Sequence, residues 1–477
     1  MRSRILGRDE ECNRLQECLE DDNPQFIIVY GRRRVGKTFL INEFFEDHLA
    51  FRLTGAYDKP REYQLNNFRL ELNRRFSAVQ EAPKNWPDAF DALRTYLETL
   101  PRSEKQVVFL DELPWLNGED EELLSAFEWF WNDWASTQHH LIFVVCGSAT
   151  SWMVKHIAEN KGGLFSRKTC SLFLKPFSLA QTEQFLLQKN IHWSRYEIAE
   201  CYMIMGGIPY YLNLLSNRRS FVENIDYLFF KERGELWDEF KHLYRTLFKN
   251  SDKYIRIVEV LSEKTSGMSR EELIRKTRFP SNGLLSQMLD DLISSGFVRI
   301  SRYYQQKKKD ALYQLADYYT AFYFRFLKDQ AGRDEHFWRN GIDYPGRRAW
   351  AGLTFEQLCK DHIPQIKQKL GISGMLSDEF IWYTKGTSES GLPGAQIDLV
   401  IERRDRVIHL CEMKFSMNEF LIDKDYDQKL RNKMEAFRRE TKSKKTLLMT
   451  LITTYGVVSN QYSYMAQSQI VLDDLFA

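Results

Sequence analysis

The sequence predicts an α/β chain of several domains: a mostly parallel sheet with a helical subdomain, a small helix-and-hairpin domain, and a second α/β domain at the C-terminus. Three observations predict it. Residues 1–215 alternate short β-branched runs with longer helical stretches, the pattern of a parallel sheet with crossover helices. Residues 250–330 change to three short helical patterns followed by two strand-like runs, and from Trp350 to Ala477 the order becomes helix, strand, hairpin, helix, strand. A chain of 477 residues has room for about three domains of roughly 150 residues each.

Composition narrows the function classes. Lys and Arg number 67 against 66 for Asp and Glu, so no global positive charge draws the molecule to nucleic acid or acidic lipid, and an anionic ligand must be held locally. The longest apolar runs, Leu141 to Cys146 and Leu447 to Ile452, fall far short of the ~18 residues that cross a bilayer. The charged N-terminus has no apolar stretch behind it, which argues against a secretion signal. Seven scattered cysteines with no C-x-x-C pair read as reduced thiols rather than a disulfide framework or zinc site. A cytoplasmic location without membrane attachment is expected.

Strands are expected at Gln25–Tyr30, Ala50–Leu53, Gln106–Leu110, Leu141–Val145 and Cys170–Leu174, forming a core domain over 1–178. Residues 179–249 read as a helical lid interrupted by Gly206-Gly207-Ile208-Pro209. In 250–339, helices at Tyr254–Glu263, Ser269–Thr277 and Asn282–Ser295 precede strands at Phe297–Tyr304 and Ala311–Leu315, the order of a winged helix. The Gly- and Pro-bearing stretch Asn340–Gly346 is the expected linker. The domain 350–477 then has a helix at Leu353–Leu370, a strand at Phe380–Thr384, a hairpin, a helix at Asp423–Glu440 and a strand at Thr446–Thr453.

Between the first strand and a helical run lies Gly31-Arg32-Arg33-Arg34-Val35-Gly36-Lys37-Thr38, which fits G-x-x-x-x-G-K-[ST], with Phe39 opening the helix. The glycines let the backbone wrap its N–H groups around phosphate, the helix N-terminus adds a positive dipole end, and Lys37 reaches the terminal phosphates. Thr38 is expected to place its hydroxyl on Mg²⁺. A second acidic strand end must complete the metal site, and Val107-Val108-Phe109-Leu110-Asp111-Glu112 supplies it. Asp111 is the expected Mg²⁺ ligand through water, and Glu112 the general base for the attacking water.

With these residues the chain resembles the AAA-related P-loop ATPases, most closely the archaeal-type ATPases of the STAND group. Ile5-Leu6-Gly7-Arg8-Asp9-Glu10 is similar to that family's entry motif, which implies that Gly7 and Arg8 lie beside adenine. Ser148, in Cys146-Gly147-Ser148, falls at the sensor-1 position that reads the γ-phosphate. Leu164-Phe165-Ser166-Arg167 resembles a Leu-Tyr-Gly-Arg segment, which makes Arg167 the candidate arginine finger, and Pro209 falls in a G-x-P motif that closes over the nucleotide. The resemblance implies ATP as ligand and leaves ring formation open.

At the C-terminus, Gly394–Ile401 and Val407–Phe415 read as a hairpin. If Glu402 pairs with Ile408 across a five-residue loop, Asp398 falls opposite Glu412, with Lys414 two residues on along the same face, while Ile397, Leu399, Ile401, Cys411, Met413 and Phe415 share the other face. A four-residue loop would split the carboxylates between faces. Asp398, Glu412 and Lys414 so arranged resemble the PD-(D/E)xK nuclease signature, without its Pro beside the first acid. The resemblance implies Asp398 and Glu412 as ligands of Mg²⁺, or Mn²⁺ in its place, Lys414 as the cation that orients water, and Glu356 as an additional metal-binding acid.

Two basic features bear on a DNA partner. Lys429, Arg431, Lys433, Arg438 and Arg439 lie on one expected helix, either a solvated face or a track for a nucleic-acid backbone. The expected recognition helix, Asn282–Ser295, carries Asp290 and Asp291 and no basic residue, which suits a structural connector better than a groove reader, although Arg299, Arg302 and Lys307–Lys309 come after it. The aromatic group Tyr303, Tyr304, Tyr313, Tyr318, Tyr319, Phe322 and Phe324 is expected to be core rather than a base-stacking platform. The full expectation is an α/β P-loop NTPase with a helical lid, a winged-helix-like middle domain and an α/β restriction-endonuclease-like C-terminal domain. Its expected function is Mg²⁺-dependent ATP hydrolysis coupled to a DNA nuclease; the rival is a non-nucleolytic switch that binds a protein or DNA partner.

Overall fold

The computed structural model describes residues 5–76, 81–118, 121–158, 167–306, 311–328, 334–341, 344–386 and 393–477. The chain divides into two compact units, one of Met1–Pro176, Ile208–Tyr210 and Leu243–Ser251, the other of Phe177–Gly207, Tyr211–His242 and Asp252–Ala477.

The first unit is built on five parallel strands: β1 (Gln25–Tyr30), β2 (Leu49–Thr54), β3 (Gln106–Asp111), β4 (Leu141–Gly147) and β5 (Cys170–Phe173), in the order β2-β3-β4-β1-β5. Helices cover such a sheet on both faces, so its strands are apolar throughout rather than alternating. Phe26, Ile28, Val108, Leu110, Phe143 and Val145 share one core. Phe127 of the Glu122–Asp133 helix fills it, 5.1 Å from Phe26 and 4.5 Å from Phe143 between ring centroids; burying such a ring contributes about 1.5–3 kcal/mol. The order sets β3 beside β4 and β4 beside β1, which gathers the residues at their carboxyl ends.

The second unit opens with the helices Leu179–Gln188 and Arg195–Met205, each started by a capping box in which Ser178 pairs with Gln181 and Ser194 with Glu197. Gly206, in the left-handed region at φ 70°, ends the second. Three helices, Ser251–Ser262, Arg270–Thr277 and Gly283–Ser294, precede an antiparallel pair, β6 (Val298–Ser301) and β7 (Leu312–Leu315). Asp291 of the third helix accepts a hydrogen bond from Tyr254 Oη at 2.6 Å, so that carboxylate serves the packing of this small bundle.

A second sheet carries β8 (Ser377–Gly386), β9 (Pro393–Arg403), β10 (Val407–Lys414), β11 (Thr446–Thr453) and β12 (Ser468–Val471) in the order β12-β11-β10-β9-β8. It is mixed: β8 pairs with β9 and β9 with β10 in antiparallel fashion, while β11 joins β10 and β12 joins β11 in parallel. Val400, Ile408 and Leu410 pack with Leu430, Ala436 and Phe437 of the Lys424–Thr441 helix. Strand alternation puts Phe415 on the opposite face, where it meets Phe355 of the Pro345–Asp361 helix at 5.2 Å.

Several expectations change. The single helix expected at Leu353–Leu370 is two, Pro345–Asp361 and Ile363–Lys369, broken at His362. Pro364 lies in the first turn of the second helix, where its missing N–H is tolerated; inside one continuous helix it would delete a hydrogen bond and clash with the preceding turn. The first helix starts inside the expected linker because Pro345 occupies its first position. Strand β12 carries no recognisable period in its sequence. Of the aromatics expected in the core, Tyr304, Tyr318, Tyr319 and Phe322 are buried, whereas Tyr303, Tyr313 and Phe324 are only half-buried, and all seven cysteines are free. Among the described residues no helix is long and apolar enough to cross a membrane.

Candidate functional sites

The loop after β1 has the backbone its glycines permit. Gly31 holds φ +141° and Gly36 φ +92°. At Gly31 the chain passes Leu174 so closely that a Cβ would sit 2.4 Å from the Leu174 carbonyl oxygen. Lys37 is buried and donates from Nζ to the carbonyls of Gly31 (2.9 Å) and Arg32 (3.0 Å), closing the loop around its own ammonium. Thr38 Oγ1 donates to Asp111 Oδ2 at 2.9 Å, so the two expected magnesium residues already meet although 73 positions separate them.

Glu112 takes a left-handed backbone (φ 50°, ψ 52°) at the end of β3, and its Oε2 accepts from the Ser148 backbone N–H at 3.0 Å and hydroxyl at 2.8 Å. The expected base and the expected sensor are therefore one hydrogen-bonded pair. The Cys146 thiol is buried behind them; burial, with the Asp111 carboxylate adding to it, pushes its pKa well up, so it stays a neutral thiol.

Other expected residues are distributed around this loop. Arg8 is buried and donates from Nη2 to Val35 O (3.0 Å) and Lys175 O (2.8 Å), tying the N-terminal segment to the loop and to the chain after β5. Arg34 lies 4.2 Å over the Tyr210 ring, next to Pro209, and Arg33 lies 5.5 Å over Trp115. Val35 and Arg32 are buried, and Phe39 is about half exposed. Arg167 is exposed; Leu164, Phe165 and Ser166 lie outside the described residues, as do Lys307–Lys309. Tyr210 and Trp115 were missed by sequence reasoning; an aromatic next to Pro209 and another after Pro114 were the available signals.

In the second unit the hairpin has the expected register. Glu402 pairs with Ile408 and Leu399 with Cys411, which continued by one step sets Asp398 opposite Glu412. Both carboxylates are buried. Glu412 Oε1 accepts from Tyr426 Oη (2.9 Å) and pairs with Lys414 Nζ (2.9 Å), while Oε2 accepts from Lys433 Nζ (2.7 Å). Burial works to raise the Glu412 pKa, and Lys414 and Lys433 outweigh it, so the carboxylate is held below its ordinary value. Lys414 moves upward in return, Glu412 outweighing burial. Asp398 Oδ1 accepts from Gln396 Nε2 at 2.7 Å. Burial, and then the Asp398 charge, push Glu356 up to about 7.

Among the described residues no set of three or more His, Cys, Asp or Glu is close enough to hold a metal ion. Asp398 and Glu412 still provide hard oxygen donors, but both Glu412 oxygens are engaged by cations or a phenol. Of the basic helix, Lys433 serves Glu412 and Arg431 pairs with Asp427 at 2.8 Å. Arg299 pairs with Asp361 at 2.8 Å. Tyr426 and Gln396 were missed by sequence reasoning; Gln396 was legible as the i−2 neighbour of Asp398 on the same strand face.

A parallel α/β sheet with a phosphate loop after β1 and an acidic pair after β3 defines a P-loop ATPase fold. Residues 5–215 match the family described as an ATPase domain predominantly from Archaea. An uncharacterised protein of Methanocaldococcus jannaschii is 27% identical over 379 residues, covering 76% of this chain and 78% of the relative. An uncharacterised ATP-binding protein of the same organism is 44% identical over 43 residues, 9% of this chain and 73% of that protein. Among solved structures, a Walker-type ATPase of Pyrococcus abyssi aligns at 20% identity with a TM-score of 0.49, covering 68% of this chain and 97% of its own. The ORC2 protein of Aeropyrum pernix aligns at 15% identity and TM-score 0.42, covering 76% and 97%.

Proposed function

We propose that the protein is a Mg²⁺-dependent ATPase whose nucleotide state governs a C-terminal, metal-dependent nuclease-like domain acting on DNA. The ATPase half of this reading is carried by the hydroxyl of Thr38 against the Asp111 carboxylate at 2.9 Å. These are hard oxygen donors at the mouth of a phosphate loop and fit Mg²⁺. The metal, when bound, neutralises charge developing on the phosphates. Lys37 exchanges its two loop carbonyls for phosphate oxygens. Glu112, hydrogen-bonded to Ser148, takes the proton of the attacking water. Lys37→Ala is expected to abolish ATP binding, and Glu112→Gln to bind ATP without turnover; normal hydrolysis by Glu112→Gln removes the assigned role.

The nuclease half is supported by the β9–β10 register, which continued one step past the Leu399–Cys411 pair sets Asp398 across from Glu412, and by the Lys414–Glu412 ion pair. Glu356 would supply the further acid. The test is cleavage of linear and supercoiled DNA by the full chain with Mg²⁺ or Mn²⁺, with and without ATP, beside Lys414→Ala and Lys37→Ala. Cleavage lost in Lys414→Ala supports the reading, and a change with ATP or in Lys37→Ala supports the coupling. A second reading, a switch that binds a protein or DNA partner without cutting it, is favoured by the engagement of both Glu412 oxygens by Lys414, Lys433 and Tyr426. It predicts no cleavage under any of these conditions.

A further inference from the structure

A cavity of about 530 Å³ opens in the second unit between the small helix-and-hairpin bundle and the Pro345–Asp361 helix. Its volume lies in the range of small-molecule sites, ~300–1,000 Å³. Its wall combines apolar and aromatic groups, among them Phe324, Trp350 and Leu353, with charged ones. Trp350 is almost fully buried, yet its indole N–H finds no acceptor among the described residues. A buried donor without a partner is costly, and a ligand oxygen would satisfy it.

The charges of the wall do not cancel. Glu259 pairs with Lys328 and Arg256, and Glu263 pairs with Lys276. The wall's cations, Arg299, Arg325, Lys328 and Lys360, outnumber its acids, Glu259, Glu263 and Glu356, and neither Lys360 nor Arg325 makes a salt bridge within 4.0 Å among the described residues, although Lys360 shares its wall with Glu356. Lys360 lies within electrostatic reach of Asp398 and Glu356, so it stands where the cavity adjoins the carboxylate cluster. An aromatic wall with a surplus of positive charge suits a ligand with a flat, partly apolar body and an anionic group. The placement of Lys360 puts that anionic group next to Asp398.

We propose that this cavity seats one nucleoside phosphate, either free or as the end of a single nucleic-acid strand, with its phosphate on Lys360 and its base against the Trp350 and Phe324 wall. The proposal deepens the nuclease-like reading and rests on it for the cutting step, because it presents a terminal phosphate ester to the Asp398–Glu412 pair. The binding step stands separately.

The test uses the full chain carrying Lys37→Ala, which removes the phosphate-loop site from the measurement. Calorimetry is run with thymidine 5′-monophosphate, with thymidine, and with a short 5′-phosphorylated oligothymidylate. Thymidine monophosphate is expected to bind at least ten-fold more tightly than thymidine. Lys360→Gln is expected to weaken it at least ten-fold, and Leu353→Trp, which fills the cavity from an exposed wall position, to do the same. Tighter binding of the oligonucleotide than of the mononucleotide assigns the seat to a strand end; the reverse assigns it to a free nucleotide. Absence of binding up to millimolar concentration, or binding that ignores both substitutions, overturns the proposal. Binding that depends on Lys360 in a chain that cuts no DNA leaves the seat standing and removes only the nuclease reading; cleavage with no such binding does the converse.

Discussion

Gly31→Ala separates two physical demands on the phosphate loop. An alanine there meets a torsional penalty at φ +141° and a steric one, since its Cβ would lie 2.4 Å from Leu174 O and 3.2 Å from Leu174 C and N. Leu174 cannot withdraw easily, because its N–H donates to Tyr30 O at 2.8 Å and the adjoining β5 is paired with β1. Holding a residue in a sparsely populated backbone region costs about 1–3 kcal/mol, and overpacking adds about 1–3 kcal/mol, so the expected destabilisation is roughly 2–6 kcal/mol. Gly36→Ala isolates the first component: φ is +92° but nothing lies within 4 Å of the added Cβ, which leaves about 1–3 kcal/mol. The open space at Gly36 is where phosphates would lie, so its alanine should weaken nucleotide binding more than it weakens the fold. Urea denaturation followed by tryptophan fluorescence, with a fluorescent ATP analogue for affinity, reads both. A Gly31→Ala protein as stable as the parent, or less destabilised than Gly36→Ala, refutes the steric reasoning.

Three further outcomes are expected. Arg347 and Glu200 form a buried ion pair at 3.3 Å; Arg347→Ala strands the Glu200 carboxylate and should cost about 3–5 kcal/mol in urea denaturation, with most of the loss recovered by adding Glu200→Gln. His409 is buried, and burial followed by the neighbouring Arg403 charge lowers its pKa to about 4. Its Nδ1 lies 2.9 Å from Thr450 Oγ1 and its Nε2 3.2 Å from Arg403 Nη1. The unfolded chain therefore takes up a proton first, stability falls as pH drops from about 6.5 toward 4, and His409→Gln should flatten that part of the stability profile. Thr38→Val removes the donor to Asp111; steady-state ATPase assays should show the magnesium concentration for half-maximal turnover rising by about ten-fold, one charge-assisted hydrogen bond's worth.

The separation between what was legible and what was not tracks chain distance. Gly31 to Thr38 are consecutive, so the phosphate loop could be read where it stood, and the acidic pair at Asp111 and Glu112 came after an apolar strand that announced itself. The hairpin register was legible because strand alternation has a period of two: one register left a continuous apolar face and the other broke it. The sequence by itself thus determined the place of the glycine-bearing loop Gly31–Thr38 and the register of the β9–β10 hairpin. Only the tertiary structure decided which groups complete those sites. Ser148 reaches Glu112 across 36 positions, Lys433 and Tyr426 claim Glu412 from another helix, and Arg8 spans 167 positions to Lys175. Within the second unit the helix at Arg195–Met205 is tied to the Pro345–Asp361 helix through Glu200 and Arg347, and His362 Nε2 accepts the Leu179 N–H at 3.1 Å. No local period encodes such pairs: a buried charge needs a partner, but sequence spacing does not say which distant group the packing of whole helices and sheets will bring to it.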